Sequence, residues 1–175
     1  MNNVRLFPAT FCHAEILTEA LQGAELSNFS MFEKGGITVE DERAYLERLD
    51  REGSKLYLVY EAGSDHLVGT VGLHEVDVYN LNARIGATIF HSEDRGAHYG
   101  TEALKELMRI AFEEMHMEKL YANVLSTNAG QIARDKKLGF KIEGLLIRHY
   151  RLRGEMLDMV HMVLHREDWL AKYKT

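Results

Sequence analysis

Residues 92–104, SEDRGAHYGTEAL, have the residue types and the spacing to hold a phosphate group. The segment joins a strand-like run to a helix-like run, with Arg95, Gly96 and Gly100 at the joint. A glycine-containing turn that opens a helix presents unpaired backbone N–H groups and the positive end of the helix dipole to an anion. His98 occupies a position where close approach of the backbone favours a third glycine. We therefore expect a phosphorylated ligand here, with backbone strain at His98 if that position needs a positive φ angle.

Three carboxylates stand at positions that suit a base for an attacking amine, because an ammonium has no lone pair with which to attack. Glu75 and Asp77 end a predicted strand beside the strand that leads to residues 92–104, and Glu33 lies in a loop between the first two predicted helices. The alternatives are that each is an ordinary surface carboxylate, or that water carries the proton.

The remaining chemistry-bearing residues do not form a familiar motif. The segment HEVDV at 74–78 lacks the second histidine of H-E-x-x-H, and His161 and His165 would share a strand face without a third ligand. We therefore expect no metal site. Cys12 is expected to be a small buried residue rather than a nucleophile.

The hydrophobic periodicities predict an α/β chain with elements in the order β-α-α-β-β-β-α-β-α-β-β, followed by a short helical tail. Thr38 and Asp41 resemble a capping pair for a helix over 39–51, and Gly139 resembles a helix stop. The strand before the phosphate segment is predicted over 82–91. This order places a helix N-terminus at the carboxyl end of a strand, as phosphate binding requires.

Length and charge narrow the class of protein further. The 175 residues suit one domain over 1–175, and no apolar run approaches the length of a membrane helix. Residues 1–80 hold 6 Lys+Arg against 14 Asp+Glu, a balance of −8, whereas residues 81–175 hold 15 against 13, a balance of +2. The acidic half would repel nucleic acid and attract a small cation. We expect a cytoplasmic protein with no nucleic-acid or membrane partner.

With these motifs in place, the sequence resembles the GCN5-related N-acetyltransferase (GNAT) superfamily. The segment HSEDRGAHYGTEAL is similar to the family's pyrophosphate loop, and NAGQIARDKKLGFKIEG is similar to its N-x9-L-G-F-x-x-E-G motif. The last strand, with Asp158, is similar to the branch that acetylates ribosomal-protein N-termini and polyamines. The resemblance implies a mixed, mostly antiparallel central sheet flanked by helices, and acetyl-coenzyme A as co-substrate.

The resemblance also implies roles for particular residues. The loop residues would bind the pyrophosphate, chiefly through backbone N–H groups, and the strand residues before the loop would pair their backbone with the pantetheine arm as an added strand does. A backbone N–H near Phe90 would polarise the thioester carbonyl, and the strand gap after Phe90 would admit the pantetheine. Asn128 would lie near the cofactor. One of Arg134, Lys136 and Lys137 could meet the adenosine 3′-phosphate, and the alternative is that the three form a solvated basic helix face. The implied cofactor-binding residues are Thr88, Ile89, Phe90, Arg95, Gly96, Ala97, His98, Tyr99, Gly100, Thr101, Asn128 and Lys136.

Two positions depart from the family pattern. The first is His98, which either points to solvent or contacts a phosphate oxygen. The second is Asp135, where many members have a tyrosine that protonates the departing thiolate. An ordinary aspartate is ionised at neutral pH and does not donate that proton unless burial raises its pKa. We predict that Asp135 is not the acid, which leaves Tyr99, Tyr121, Tyr150 or water.

The sequence thus predicts an acetyl-coenzyme A-dependent N-acetyltransferase in which an amine attacks the thioester directly. The acceptor is a small molecule or peptide bearing an amine, such as a polyamine, a protein N-terminus or an amino sugar. The candidate catalytic residues are Glu33, Glu75 and Tyr99. The alternative is a non-catalytic protein that binds or senses acyl-coenzyme A. Many relatives pair through their last strands, so a homo-oligomer is one possible state, and the sequence leaves the oligomeric state open.

Overall fold

A computed structural model describes residues 3–24 and 36–174 of the chain. Seven strands and five α-helices lie in these ranges. The strands are β1 (Val4–Pro8), β2 (Lys55–Glu61), β3 (Leu67–Asp77), β4 (Asn82–Ile89), β5 (Lys119–Leu125), β6 (Lys141–Leu152) and β7 (Glu155–His165). The helices are α1 (Ala14–Gln22), α2 (Val39–Arg51), α3 (Tyr99–Arg109), α4 (Ala129–Leu138) and α5 (Arg166–Tyr173). The order of elements predicted from the sequence is confirmed.

The strands form one sheet in the order β1-β2-β3-β4-β5-β7-β6. Every neighbouring pair is antiparallel except β4 and β5, which run parallel. The predicted mixed, mostly antiparallel sheet flanked by helices is therefore confirmed.

The parallel pair β4–β5 is short. It joins Asn82 to Lys119, Ala83 to Leu120 and Arg84 to Tyr121, and the pairing ends there. Strand β4 continues to Ile89 and β5 to Leu125, so both strands extend well beyond their last paired residues. The sheet therefore opens between its two central strands, toward their carboxyl ends.

Apolar cores lie on both faces of the sheet. On one face α3 buries Leu107 and Met108 against strand residues, and Phe112, which follows α3, packs on Trp169 of α5 with ring centroids 5.3 Å apart. On the other face a cluster joins α1 and α2 to the sheet through Leu17, Leu46, Leu58 and Phe90. Burial of such side chains contributes roughly 1.5–3 kcal/mol each, so the cores fix both helix layers on the sheet.

The sequence places two helix ends correctly. The Thr38 hydroxyl accepts a hydrogen bond from the Asp41 N–H at 3.1 Å, and the Asp41 carboxylate accepts one from the Thr38 N–H at 3.1 Å. This reciprocal capping satisfies two otherwise unpaired donors at the start of α2. Gly139 ends α4 with a φ of 108°, which favours glycine because it has no Cβ.

Two local predictions are wrong. Strand β4 ends at Ile89 rather than at 91, and Phe90, the next residue, buries its side chain in the core between the sheet and α1–α2. A turn of 3-10 helix over Phe11–His13 precedes α1. That turn directs Cys12 to solvent, so the cysteine is exposed rather than buried.

In the described ranges no helix has the length and apolar character needed to cross a bilayer.

Candidate active site

The opening between β4 and β5 exposes backbone groups of alternate residues. The Phe90 N–H donates to the Val68 carbonyl on β3 at 3.1 Å. In an antiparallel pair the residues that bond across the ladder alternate, so Thr88 also directs its backbone to β3. A Cβ added at Gly69 of β3 would lie 2.0 Å from the Thr88 carbonyl oxygen, which agrees with this direction. Ala87 and Ile89 therefore direct their N–H and C=O groups into the opening.

Of the three strand residues implied by the family resemblance, Ile89 thus presents its backbone to the opening, whereas Thr88 and Phe90 present theirs to β3. Ala87 belongs with Ile89 and was missed. Backbone groups alternate in direction along β4, so every second residue faces the opening. Which of the two sets does so depends on the register of β4 against β3, which the sequence alone does not supply.

The predicted phosphate loop leads from this opening into α3. His98 is the N-cap of α3 with φ 67° and ψ 5°, in the left-handed region, and Gly96 has a φ of 91°. The first helical bond runs from the Glu102 N–H to the His98 carbonyl at 3.0 Å. The preceding N–H groups of Tyr99, Gly100 and Thr101 have no intrahelical acceptor. They form the donor set and the positive dipole end that an anion needs.

Two contacts fix the loop to the sheet. The Asn3 side-chain amide donates to the Ala97 carbonyl at 3.1 Å. The His66 imidazole lies 3.0 and 3.1 Å from the two carboxylate oxygens of Asp94, which is only 8% exposed. The loop is thus held at its middle and next to the start of α3, so its N–H groups are oriented before a ligand arrives.

Arg134 is the cation that the structure brings to this helix start. One guanidinium nitrogen lies 3.8 Å from a Cβ added at Gly100, and its Nε donates to Asp135 Oδ1 at 2.8 Å. Lys136, which was singled out from the sequence, is exposed on the same helix. Asn128 is the N-cap of α4, and its side-chain oxygen accepts from the Gln131 N–H at 3.1 Å. Arg134 is therefore better placed than Lys136 to meet a phosphate.

Asp135 is 2% exposed and lies behind Arg134. Burial raises the pKa of Asp135, and the Arg134 guanidinium opposes that rise. Its Oδ2 atom is buried and makes no hydrogen bond among the described residues. The bond to Arg134 gives this carboxylate a positioning task, and our prediction that Asp135 is not the thiol acid stays a prediction.

Two of the candidate tyrosines donate their hydroxyl protons to carboxylates. Tyr99 donates to Glu61 at the end of β2, and this bond raises the pKa of Tyr99. The contact directs the side chain toward β2 and away from the β4–β5 opening. Tyr121 donates to Glu75 at 2.7 Å, and burial together with that bond raises the pKa of Tyr121 to about 12.

Glu75 lies where β4 and β5 separate. It accepts hydrogen bonds from Arg84 at 2.9 Å and from Tyr121 at 2.7 Å, the last paired residues of the two strands. Partial burial raises the pKa of Glu75, but the bonds from Tyr121 and Arg84 outweigh it and leave the pKa below its ordinary value. Such a carboxylate is a weak base, and its contacts tie the two strands together.

Asp77 lies away from the opening. Asp77 accepts hydrogen bonds from the N–H groups of Tyr79 and Asn80 in the β3–β4 turn, at the opposite end of β4 from Phe90. Glu33 lies outside the described residues. In the described ranges, no group of three or more His, Cys, Asp and Glu side chains is arranged to hold a metal ion.

Glu42 is a carboxylate that sequence reasoning missed. It lies on α2 in an otherwise apolar stripe formed by Val39, Leu46 and Leu49, and it is 5% exposed. Burial raises the pKa of Glu42 to about 7. The available signal was a charged residue at a position where helical spacing calls for an apolar one.

The sequence pattern of the family described as "Acetyltransferase (GNAT) domain" matches residues 3–141. The chain belongs to this GNAT family. Its members use acetyl-coenzyme A, and the residues present fit that molecule: the backbone of Ala87 and Ile89 is open to an extended arm, and the N–H groups of Tyr99–Thr101 are open to a pyrophosphate.

The chain is also similar in sequence to individual proteins named as N-acetyltransferases. The chain is 28% identical to a "Probable N-acetyltransferase YjcK" of Bacillus subtilis over 131 residues, which cover 73% of the chain and 71% of that protein. It is 30% identical over 107 residues, 61% of the chain, to a spermidine N(1)-acetyltransferase of Escherichia coli, and it spans 57% of that protein.

Solved GNAT structures share the fold. RimL, a ribosomal L7/L12 alpha-N-protein acetyltransferase in complex with coenzyme A, has a TM-score of 0.84 at 18% identity, over 94% of this chain and 95% of RimL. A dodecameric spermidine N-acetyltransferase from Vibrio cholerae has a TM-score of 0.82 at 16% identity, over 99% of both chains.

The strained backbone at His98 gives a stability prediction. Replacement of His98 by glycine should stabilise the fold by up to about 1 kcal/mol, because glycine adopts a positive φ without a Cβ penalty. Urea unfolding measures this, and His98→Ala, which keeps the Cβ, serves as the control. Acetyl-coenzyme A affinity should be equal or better in His98→Gly. Weaker binding in both variants would instead show that the imidazole contacts the ligand.

Glu42 gives a pH-dependent prediction. Its folded pKa of about 7 lies above its ordinary 4.5, so burial costs nothing below pH 4.5 and costs most above pH 7. Glu42→Gln should therefore stabilise the free protein by on the order of 1–3 kcal/mol at pH 8 and hardly at all at pH 4.5. Urea unfolding at both pH values tests this, with Glu47→Gln on the exposed side of α2 as control. A gain independent of pH would contradict the assignment.

Proposed function

We propose that this chain transfers the acetyl group of acetyl-coenzyme A to an amine acceptor by direct attack on the thioester. The observation that carries the proposal is the opening between β4 and β5, which leads directly to the unpaired N–H groups at the start of α3. An extended pantetheine arm pairs with a free strand edge, and a pyrophosphate pairs with a helix N-terminus. Both features lie along one path, in the order in which the cofactor presents them.

The chain's own residues divide the work of binding and catalysis. The Tyr99–Thr101 N–H groups and Arg134 hold the phosphates, and the backbone of Ala87 and Ile89 holds the arm. The Ile89 N–H is the donor next to Phe90 that is not bonded to β3, so it suits the developing oxyanion. Orientation of the amine against the carbonyl supplies much of the remaining rate enhancement.

The acceptor class follows from charge and from the relatives. Residues 1–80 carry a balance of −8, which favours a cationic amine. Two relatives are named for amine substrates, spermidine in one and a ribosomal protein in the other. We therefore propose a polyamine, a protein N-terminus or an amino sugar as the acceptor.

Thiol release with a panel of these amines, together with calorimetry of acetyl-coenzyme A binding, tests the proposal. The wild type should bind the cofactor and release thiol with at least one amine. Gly100→Val should weaken binding strongly, because its side chain would lie against Ile89 and Arg134 at the helix start, where an added Cβ is 3.4 and 3.8 Å from them.

Gly144→Val on β6 is the matched control, since an added Cβ there makes an ordinary contact at 4.0 Å. Unchanged affinity in Gly100→Val would place the cofactor elsewhere. Binding without thiol release for any amine would favour the binding or sensing alternative.

We also propose that the protein self-associates. Strand β6 is an edge of the sheet, and the β6–β7 hairpin exposes Ile142, Leu145, Ile147 and Met156. An apolar edge strand of this length invites pairing with another chain. Sedimentation should show an oligomer that Ile147→Glu weakens, and a monomer at all concentrations would overturn this proposal.

A further inference from the structure

A row of polar side chains runs across the sheet at the closed end of the opening. Arg84 and Tyr121 both donate to Glu75 and form the first part of this row. His161 of β7 continues it, because its ring lies 5.5 Å from the Tyr121 ring, measured between centroids. The side-chain oxygen of Asn123 lies 2.7 Å from His161 Nδ1. A histidine thus adjoins the cluster that ties β4 to β5.

This histidine lies beside the opening, next to the β5 strand. Asn123 and His161 are paired directly across β5 and β7, so their side chains share one face of the sheet. Asn123 lies two residues beyond Tyr121, on the same face, where β5 no longer pairs with β4. Gly86 lies two residues beyond Arg84 on β4, and a Cβ added there would meet no described atom within 4 Å. Among the described residues, the space in front of Gly86 is therefore open.

The bond to Asn123 determines which ring nitrogen of His161 carries the proton. An amide oxygen only accepts hydrogen bonds, so Nδ1 is the donor in this pair. In the neutral ring, Nε2 then holds the lone pair that can accept a proton. A histidine that acts as a base is commonly held in one tautomer by an acceptor on its other nitrogen. Asn123 supplies such an acceptor.

The neighbouring carboxylate is less suited to this task. The pKa of Glu75 lies below its ordinary value, and its oxygens already accept bonds from Arg84 and Tyr121. Imidazole ionises closest to neutral pH among the ordinary side chains, so it can take up a proton and release it again. An arm that enters the opening from the loop would place its thioester end between Ile89 and Glu75. His161 lies across β5 from that path.

The strands on either side of β7 supply the groups that adjoin His161. On β5, Tyr121 has a pKa raised to about 12 by burial and by its bond to Glu75, so its hydroxyl is neutral at physiological pH. On β6, the residue paired with His161 is Gly144, which has no side chain. The next residue, Glu143, has a carboxylate oxygen 3.3 Å from Nε2 of His165, further along β7.

We propose that His161 is the base that deprotonates the attacking amine and that Asn123 positions it. The assignment rests on the proposed acetyl transfer. His161 Nε2 takes one proton from the ammonium, and the freed lone pair attacks the thioester carbonyl. The N–C bond forms and the C–S bond breaks, with its electron pair on sulfur. The nitrogen's second proton passes through water to the sulfur, and His161 releases its proton to solvent, so the products are the amide, the free thiol and one proton.

A pH profile with the amine that supports the fastest thiol release tests the base. In the wild type, kcat/KM should rise with pH and level off once the imidazole is neutral. In His161→Gln, kcat should fall roughly 100-fold at pH 7, and the rate should continue to rise with pH as more of the amine is unprotonated. His165→Gln, on the same face of β7, is the matched control and should behave as the wild type. Circular dichroism and acetyl-coenzyme A affinity should be unchanged in both variants.

Nitrogen-15 NMR of the histidine rings tests the role of Asn123 independently of turnover. In the wild type, the neutral His161 ring should carry its proton on Nδ1. Asn123→Leu should lose this preference and lower kcat. Asn123→Asp, which supplies another acceptor, should retain the tautomer and most of the activity. If His161→Gln does not fold, Asn123→Leu takes its place in the pH profile.

The outcomes separate the assignment from the proposed function. A wild-type ring that carries its proton on Nε2 overturns the assignment, and so does a His161→Gln variant with the kcat and pH profile of the wild type. Equal losses in His161→Gln and His165→Gln also overturn it. In each of these cases acetyl transfer by the wild type still stands. A wild type that binds acetyl-coenzyme A but acetylates no amine contradicts the proposed function, and the assignment fails with it.

Discussion

The separation of β4 from β5 is the constraint on which the rest of the site depends. Two central strands of a sheet ordinarily satisfy each other's backbone groups, and unpaired groups in a protein interior are costly. Here the pairing ends at Arg84 and Tyr121, and both side chains bond to Glu75 on β3. This cluster holds the strands together at the closed end of the opening. Beyond it, the backbone of Ala87 and Ile89 is left for a partner that is not a strand of the protein.

The loop that we propose binds the pyrophosphate contains a strained residue at the start of α3. His98 is held at a φ of 67°, a conformation that costs a residue with a Cβ on the order of 1 kcal/mol. Two anchors hold the segment just before His98, Asn3 on Ala97 and His66 on Asp94. The result is a helix start whose N–H groups face outward, close to the Arg134 guanidinium. Rigid positioning of these donors avoids an ordering cost when the ligand binds.

Much of this arrangement is predictable from local sequence. The capping pair Thr38 and Asp41, the helix over 39–51 and the loop before α3 depend on neighbouring residues, and each was placed correctly. The β4–β5 pairing ends at Arg84 and Tyr121, which are 37 positions apart in the chain. No pattern among neighbouring residues therefore indicates where the pairing ends. The direction of the Thr88 backbone depends on the register against β3. Glu42 was missed because a charge on a helix is ordinarily exposed.

Hydrogen exchange read at single amides by NMR, with and without acetyl-coenzyme A, tests the central claim that the opening and the start of α3 hold the cofactor. The amides of Ala87, Ile89 and Tyr99–Thr101 have no acceptor within the sheet or helix, so they should exchange readily in the free protein and slow markedly when the cofactor binds. The amides of Thr88 and Phe90, already bonded to β3, should change little. Slowing that leaves Ala87 and Ile89 untouched, or that appears on another part of the chain, would contradict the account.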